Sequence, residues 1–222
     1  MTKVNENFHF ENIETPFMVF QRSTGYSSIR FVDIFQETKI ANPEKFVFFV
    51  SRKDPHGWAS NWHQEGSGYR AEDRGLRFLT SEHHLMWCKA KIFGDEEIMA
   101  QILEAPNPAE AKKLGRQVSA FNESKWQVYR YRVLYHVLIN KFSKSAKLAK
   151  LLIDTGDCFI VEAADYDTKF GIGLAEFSSE FNRGCKFRAN GQFDVFPKHW
   201  MGENLLGIAL MEVRSALKSR LN

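Results

Sequence analysis

Ser81-Glu82-His83 opens an apolar-periodic stretch that runs to Phe93, and it sets an acid one residue after a hydroxyl side chain suited to capping a helix. A carboxylate there meets the positive end of the helix macrodipole, which favours its ionised form. Such a group serves as a helix-start charge, or as a rigidly held base or charge stabiliser; proton donation is the role it suits least. A pair of acids, Asp165 and Asp167, flanks Tyr166 between an apolar run and Gly171-Ile172-Gly173. Asp is favoured in turns by hydrogen bonds to its own backbone, and loop residues at a strand end are equally well placed to meet a ligand. Local pattern leaves both readings open. Trp126 shares helical spacing with Tyr129, Val133 and Val137, so it reads as core or as a stacking surface.

Other chemistries lack their patterns. His83 and His84 are adjacent and point about 100° apart on a helix, so the i, i+4 pair of a zinc protease is missing. Cys88, Cys158 and Cys185 form no CxxC pair and read as free thiols in a reducing compartment; neither metal nor cofactor is expected. No strand–GxGxxG–helix unit, GxxxxGK[ST] loop or GxSxG elbow is present, so the usual routes to hydride transfer, ATP hydrolysis and serine hydrolysis have no support in the sequence. The first residues, Met1-Thr2-Lys3-Val4-Asn5, hold no apolar signal core. No apolar run reaches the ~18 residues of a membrane helix. A soluble, cytoplasmic protein without membrane contact is expected. A net charge of +3 suits an anionic ligand.

The elements that must position these groups are mostly helical. Gly94 stops the helix from Glu82, and Glu96–Glu104 forms a second one. Asn107-Pro108-Ala109-Glu110 pairs a capping Asn with Pro at the first helical position. A longer helix runs from Asn122 or Glu123 to about Phe142, another follows Ser145 to Gly156, and a last one spans about Glu203 to Leu221 with Leu206, Leu210, Val213, Leu217 and Leu221 on one face. Phe46–Val50 and Phe159–Val161 read as short buried strands. Residues 51–77 read as a long surface loop, 1–45 as an extension of short strands or loops, and 176–198 as an irregular stretch. The fold class is mainly α with a few short β-strands, in one domain over 46–222.

In their order, several blocks are similar to those of the NADAR (YbiA-like) family. They are Ala59-Ser60-Asn61-Trp62, Ser81-Glu82-His83, Lys89-Ala90-Lys91-Ile92-Phe93-Gly94-Asp95, Ala111–Arg116, Trp126, Leu151–Asp157, Val161-Glu162-Ala163, Asp167-x-x-Phe170-Gly171-Ile172-Gly173 and Trp200-x-Gly202-Glu203-Asn204-Leu205-Leu206-Gly207. The resemblance implies a helical YbiA-like fold and cleavage of a C–N ribosyl bond, with Glu82, Asp167 and Trp126 as the functional residues. Ser60, Asn61, Trp62 and His83 are the expected ligand contacts on the early blocks, and Arg116, Phe170, Gly171 and Asn204 on the later ones. The family usually carries Trp where Phe170 stands, E-A-S-P where Glu162-Ala163-Ala164-Asp165 stands, and often Gln at Cys88. The implied ligand contains ADP-ribose or a ribose phosphate. Removal of ADP-ribose from ADP-ribosylated guanine is the leading expectation. A phosphorylated ribosylamino-pyrimidine of riboflavin synthesis is the second, and a non-catalytic ADP-ribose or NAD-binding module the third. Arg183, Lys186 and Arg188 lie among Phe177, Phe181, Phe187 and Phe193. Such interleaving suits contact with single-stranded nucleic acid through 176–198, and equally a loop that packs its Phe side chains and solvates its cations.

Overall fold

The computed structural model describes residues 9–19, 46–73, 75–164, 166–173 and 202–220. The 176–198 stretch, Asp165 and Trp200 lie outside them. Strands are β1 (Phe46–Phe49), β2 (Tyr69–Arg70), β3 (Arg77–Phe78) and β4 (Phe159–Glu162). Helices are α1 (Ser81–Phe93), α2 (Glu96–Glu104), α3 (Pro108–Gly115), α4 (Glu123–Ser143), α5 (Ala146–Asp154) and α6 (Leu205–Ser219). The mainly helical expectation holds. The chain divides into two compact units, one of residues 1–13 and 61–151 and the other of 14–60 and 152–222, with the division inside α5.

In the first unit, each helix start is written by a short polar side chain. Asp95 Oδ1 accepts from Ile98 N at 3.0 Å, Asn107 Oδ1 from Glu110 N at 3.0 Å, and Asn122 Oδ1 from Lys125 N at 2.8 Å. Each removes one orphan donor of a first turn. Glu110 turns its own carboxylate to Lys113 rather than back to the cap. Gly94 ends α1 at φ 74°, a left-handed value that glycine adopts without penalty. The buried side chains of this unit include Leu85, Trp87, Ile102, Val133, Leu134, Val137 and Leu138.

Three sequence expectations are corrected here. The cap of α1 is Thr80, not Ser81. Thr80 is extended (φ −141°, ψ 166°) and its side chain accepts from His83 N, so Ser81 already belongs to the helix. The 51–77 segment is not loop throughout. A 3-10 turn forms at Gly57–Ala59, and β2 pairs antiparallel with β3, Tyr69 opposite Phe78 and Arg70 opposite Arg77. Gly68 allows this ribbon, since a Cβ there would lie 2.1 Å from the Phe78 carbonyl oxygen. In residues 9–19, likewise, a 3-10 turn at Phe10–Asn12 and helical residues 16–19 stand where strands or loops were expected.

In the second unit β1 and β4 pair in parallel, Phe46 opposite Phe159 through Phe49 opposite Glu162. Parallel strands need a long connection, and the segment that forms the first unit is that connection. Leu206, Leu210, Val213 and Leu217 of α6 are buried as their spacing predicts. The helix begins at Leu205, two residues after the expected Glu203. Among the described residues no helix is long and apolar enough to cross a membrane.

Candidate active site

The first unit holds Asn61, Trp62, Glu82, His83, Arg116 and Trp126 of the expected set. Glu82 is the second residue of α1 and 4% exposed, so its carboxylate is fixed by the fold rather than solvated. Its backbone N–H donates to the Asn61 carbonyl oxygen at 2.9 Å, which ties the Asn61-Trp62 segment to the same helix start. Asn61 is buried and Trp62 half-buried. His83 is engaged at both ring nitrogens. Its Nε2 lies 3.1 Å from the Ala105 carbonyl oxygen, an acceptor only, so Nε2 carries the proton and Nδ1 accepts from the Thr80 hydroxyl at 2.8 Å. Burial pushes the His83 pKa down, against that carbonyl contact. His83 therefore holds the helix start in place.

Trp126 is buried on α4, and Arg116 is exposed at the C-terminal cap of α3. Three charged residues that the sequence reading did not single out accompany them. Glu123, Trp126 and Arg130 fall at i, i+3 and i+7 on α4, and Arg130 Nη2 donates to Glu123 Oε1. Lys89, seven residues after Glu82 on α1, donates to the Gly115 carbonyl oxygen at 2.7 Å and lies 4.1 Å from the Phe121 ring centre. Burial lowers the Lys89 pKa; Glu123 opposes this, while Arg130 and Arg116 reinforce it. Lys89, Arg116 and Arg130 thus share one electrostatic neighbourhood, the charge a phosphorylated ligand requires. The seven-residue spacings, two helical turns each, were the available signal. A separate cavity of about 200 Å³, lined by His9, Phe10, Glu11, Lys91, Ile92, Lys125 and Tyr129, includes none of the expected site residues.

The second unit holds Ser60, Asp167, Phe170, Gly171 and Asn204. Ser60 is buried and closes the 3-10 turn at Gly57–Ala59. Asp167 Oδ1 accepts from Lys169 N at 2.9 Å and Phe170 N at 2.8 Å, so this carboxylate shapes its own loop. The loop is laced to the start of α6. Glu203 N donates to Thr168 O at 3.0 Å, Asn204 N to Gly171 O at 3.0 Å, Leu205 N to Lys169 O at 3.1 Å and Leu206 N to Phe170 O at 3.1 Å. The orphan donors of a helix start are here spent on loop carbonyls. Gly171 fits because a Cβ would lie 2.9 Å from both the Asp167 and Glu162 carbonyl oxygens. Asn204, fully buried at φ 51°, accepts from Glu162 N at 3.0 Å through Oδ1 and donates to Ile160 O at 3.0 Å through Nδ2. Both ends of its amide therefore bind strand β4.

One further buried cluster of the first unit contains none of the expected residues. Asp73 Oδ2 accepts from His84 Nε2 at 2.8 Å and from His136 Nε2 at 2.5 Å. Burial raises the Asp73 pKa, but the two imidazole donors overcome this and hold it well below the usual carboxylate range. Burial takes His84 down to about 4, against the Asp73 hydrogen bond. These residues come from three distant segments, and no local spacing announces them.

The model of the NADAR domain family matches residues 47–218. N-glycosidase R617 of Acanthamoeba polyphaga mimivirus is 32% identical over 175 residues, 77% of this chain and 95% of that protein. N-glycosidase YbiA of Escherichia coli (strain K12) is 26% identical over 174 residues, covering 78% and 89%. The NMR structure of E. coli YbiA superposes with a TM-score of 0.61, covering 84% of this chain and 92% of that one at 25% identity. Riboflavin biosynthesis protein VVA0006 of Vibrio vulnificus (strain YJ016) is 25% identical over 130 residues, 59% of this chain and 34% of that protein. With its helical order and most of its length accounted for by that match, the chain belongs to the NADAR domain family.

Proposed function

We propose that this protein is a hydrolase that cleaves an N-glycosidic bond to ribose, with Glu82 as the working carboxylate. The observation that carries this reading is the placement of Glu82, a buried acid on the second residue of a helix whose start is pinned by Thr80, His83 and Asn61. Relatives named as N-glycosidases support the reaction class. As the C–N bond breaks, positive charge builds on the anomeric carbon and ring oxygen, and a fixed carboxylate offsets it or takes the proton of the attacking water. Lys89, Arg116 and Arg130 supply positive charge for a phosphate group, and Trp126 an aromatic face. Asp167, within its own unit, is the second carboxylate that the family resemblance carries.

For substrate we propose ADP-ribosylated guanine, with ADP-ribose released from the base. The basic and aromatic residues of 176–198 support a nucleic-acid or nucleotide partner. The name of the Vibrio relative favours a second reading, a phosphorylated ribosylamino-pyrimidine. Mass spectrometry of products from ADP-ribosylated guanosine, ADP-ribosylated DNA, NAD and riboflavin intermediates separates them. Glu82→Gln should lower turnover by ~10²–10⁴-fold, the usual contribution of such a group. Near-wild-type turnover in folded Glu82→Gln would remove Glu82 from catalysis. Tight ADP-ribose binding without release of any base would make the chain a binding module instead.

A further inference from the structure

Asp73, His84 and Cys88 place a carboxylate oxygen, an imidazole nitrogen and a thiol sulfur within 4.8 Å of one another, all buried. His136 lies outside that 4.8 Å group but shares Asp73 Oδ2 with His84. We propose that Asp73, His84, Cys88 and His136 form a structural zinc site. It stands apart from Glu82 chemistry and goes against the sequence expectation of no metal.

Four features support it. His84 and Cys88 lie four residues apart on α1, the spacing that brings two side chains to one face of a helix. The donor set mixes nitrogen, oxygen and sulfur, which suits Zn²⁺ better than Mg²⁺ or Ca²⁺. Asp73 Oδ1 is buried and has no hydrogen-bond partner among the described residues, so the carboxylate has unused coordinating capacity where unsatisfied polar atoms are costly. His84 Nδ1 lies 3.1 Å from the Tyr69 hydroxyl, the kind of outer partner that orients a metal-binding histidine.

The geometry requires a small opening. The 2.8 and 2.5 Å separations of Asp73 Oδ2 from the two imidazole nitrogens are hydrogen bonds. Tetrahedral ligands at ~2.0–2.1 Å from zinc stand roughly 3.3–3.5 Å from one another, so the two Asp73–imidazole pairs part by up to about 1 Å while His136 closes on the Asp73, His84 and Cys88 group. Charge and protons balance. Each imidazole shifts its proton from Nε2 to Nδ1, where His84 then donates to Tyr69. Cys88 loses its thiol proton to solvent. Zn²⁺, one carboxylate, one thiolate and two neutral imidazoles sum to zero, which suits a buried site. Four protein ligands leave no open position for water, so the ion joins the β2–β3 ribbon, α1 and α4 and does not itself react.

The test uses the full chain, stripped of metal with a chelator and refilled with Zn²⁺ or Co²⁺ alone. Expected are one zinc per chain by elemental analysis, one proton released per ion, and a tetrahedral Co²⁺ spectrum with a thiolate-to-metal charge-transfer band. Cys88→Ser should abolish that band, and Tyr69→Phe should weaken zinc binding by about 10–100-fold. A folded wild-type chain that takes up no stoichiometric zinc and gives no tetrahedral cobalt spectrum overturns the proposal. So does a charge-transfer band that survives in Cys88→Ser. Should Cys88→Ser fail to fold, the wild-type stoichiometry, proton release and cobalt spectrum decide the matter.

Discussion

Asn204 gives the sharpest separation of a scaffold role from ligand contact. Its side chain satisfies two backbone groups of β4, the Glu162 N–H and the Ile160 carbonyl, each at 3.0 Å, in a fully buried position. Truncation to Ala leaves both unsatisfied, at about 1–3 kcal/mol each. The left-handed backbone, φ 51°, adds about 1–2 kcal/mol for a residue that cannot adopt it cheaply. Asn204→Ala should therefore lose about 3–8 kcal/mol. Asn204→Gly keeps the backbone freedom and should lose about 1–2 kcal/mol less. Asn204→Asp keeps the acceptor but sets a carboxylate oxygen against the Ile160 carbonyl, and should fall near the Ala variant. Urea unfolding monitored by Trp fluorescence reads all three, with turnover measured on the same samples. If Asn204→Ala unfolds at the wild-type urea midpoint and only loses affinity for ligand, the residue is a ligand contact and the scaffold argument fails.

Three other predictions rest on similar geometry. Thr80→Val removes the cap of α1 and leaves the buried His83 Nδ1 without its hydroxyl donor; it should lose about 2–4 kcal/mol in denaturant unfolding, with Thr80→Ser close to wild type. Gly207→Ala would place a Cβ 2.0 Å from the Ile160 carbonyl oxygen, so differential scanning calorimetry should find Tm lowered, by about 2–4 °C for each kcal/mol of strain; an unchanged Tm would mean that helix and strand part freely. Burial holds the folded pKa of His83 below the ordinary histidine value of 6.5, so its contribution to stability is complete above about pH 6.5 and is lost as pH falls through the folded pKa. Unfolding free energies across that range should fall less steeply in His83→Gln than in wild type, and identical slopes would exclude a buried neutral His83.

How much of this could be read without coordinates depends on how local the cause is. Gly94, Asn107-Pro108 and Asn122 end or start helices through bonds spanning three or four residues, so their positions in the chain suffice. Thr80 and Ser81 are chemically alike as caps, and only the extended backbone at Thr80 decides between them. β1 and β4 were visible as aromatic and β-branched runs, but their parallel pairing joins residues more than a hundred positions apart. The ribbon of β2 and β3 was hidden by glycines that read as breakers yet permit its close approach. Family motifs flagged Glu82 and Asp167, and the coordinates add what surrounds each within its unit. The Asp73, His84 and His136 cluster assembles through tertiary packing alone.

The lacing of 168–172 to 202–206 has an evolutionary corollary. Gly202 N donates to Ile172 O at 2.8 Å, so the chain that departs after Gly173 returns beside its point of departure. For a flexible connection between clamped ends, the closure entropy grows only logarithmically, about 0.6 kcal/mol for each doubling of length. A change in the number of residues between 173 and 202 therefore leaves the clamp, and with it the shape of the Asp167 loop, in place. Changes of length there are thereby insulated from the scaffold, and selection can act on one without disturbing the other.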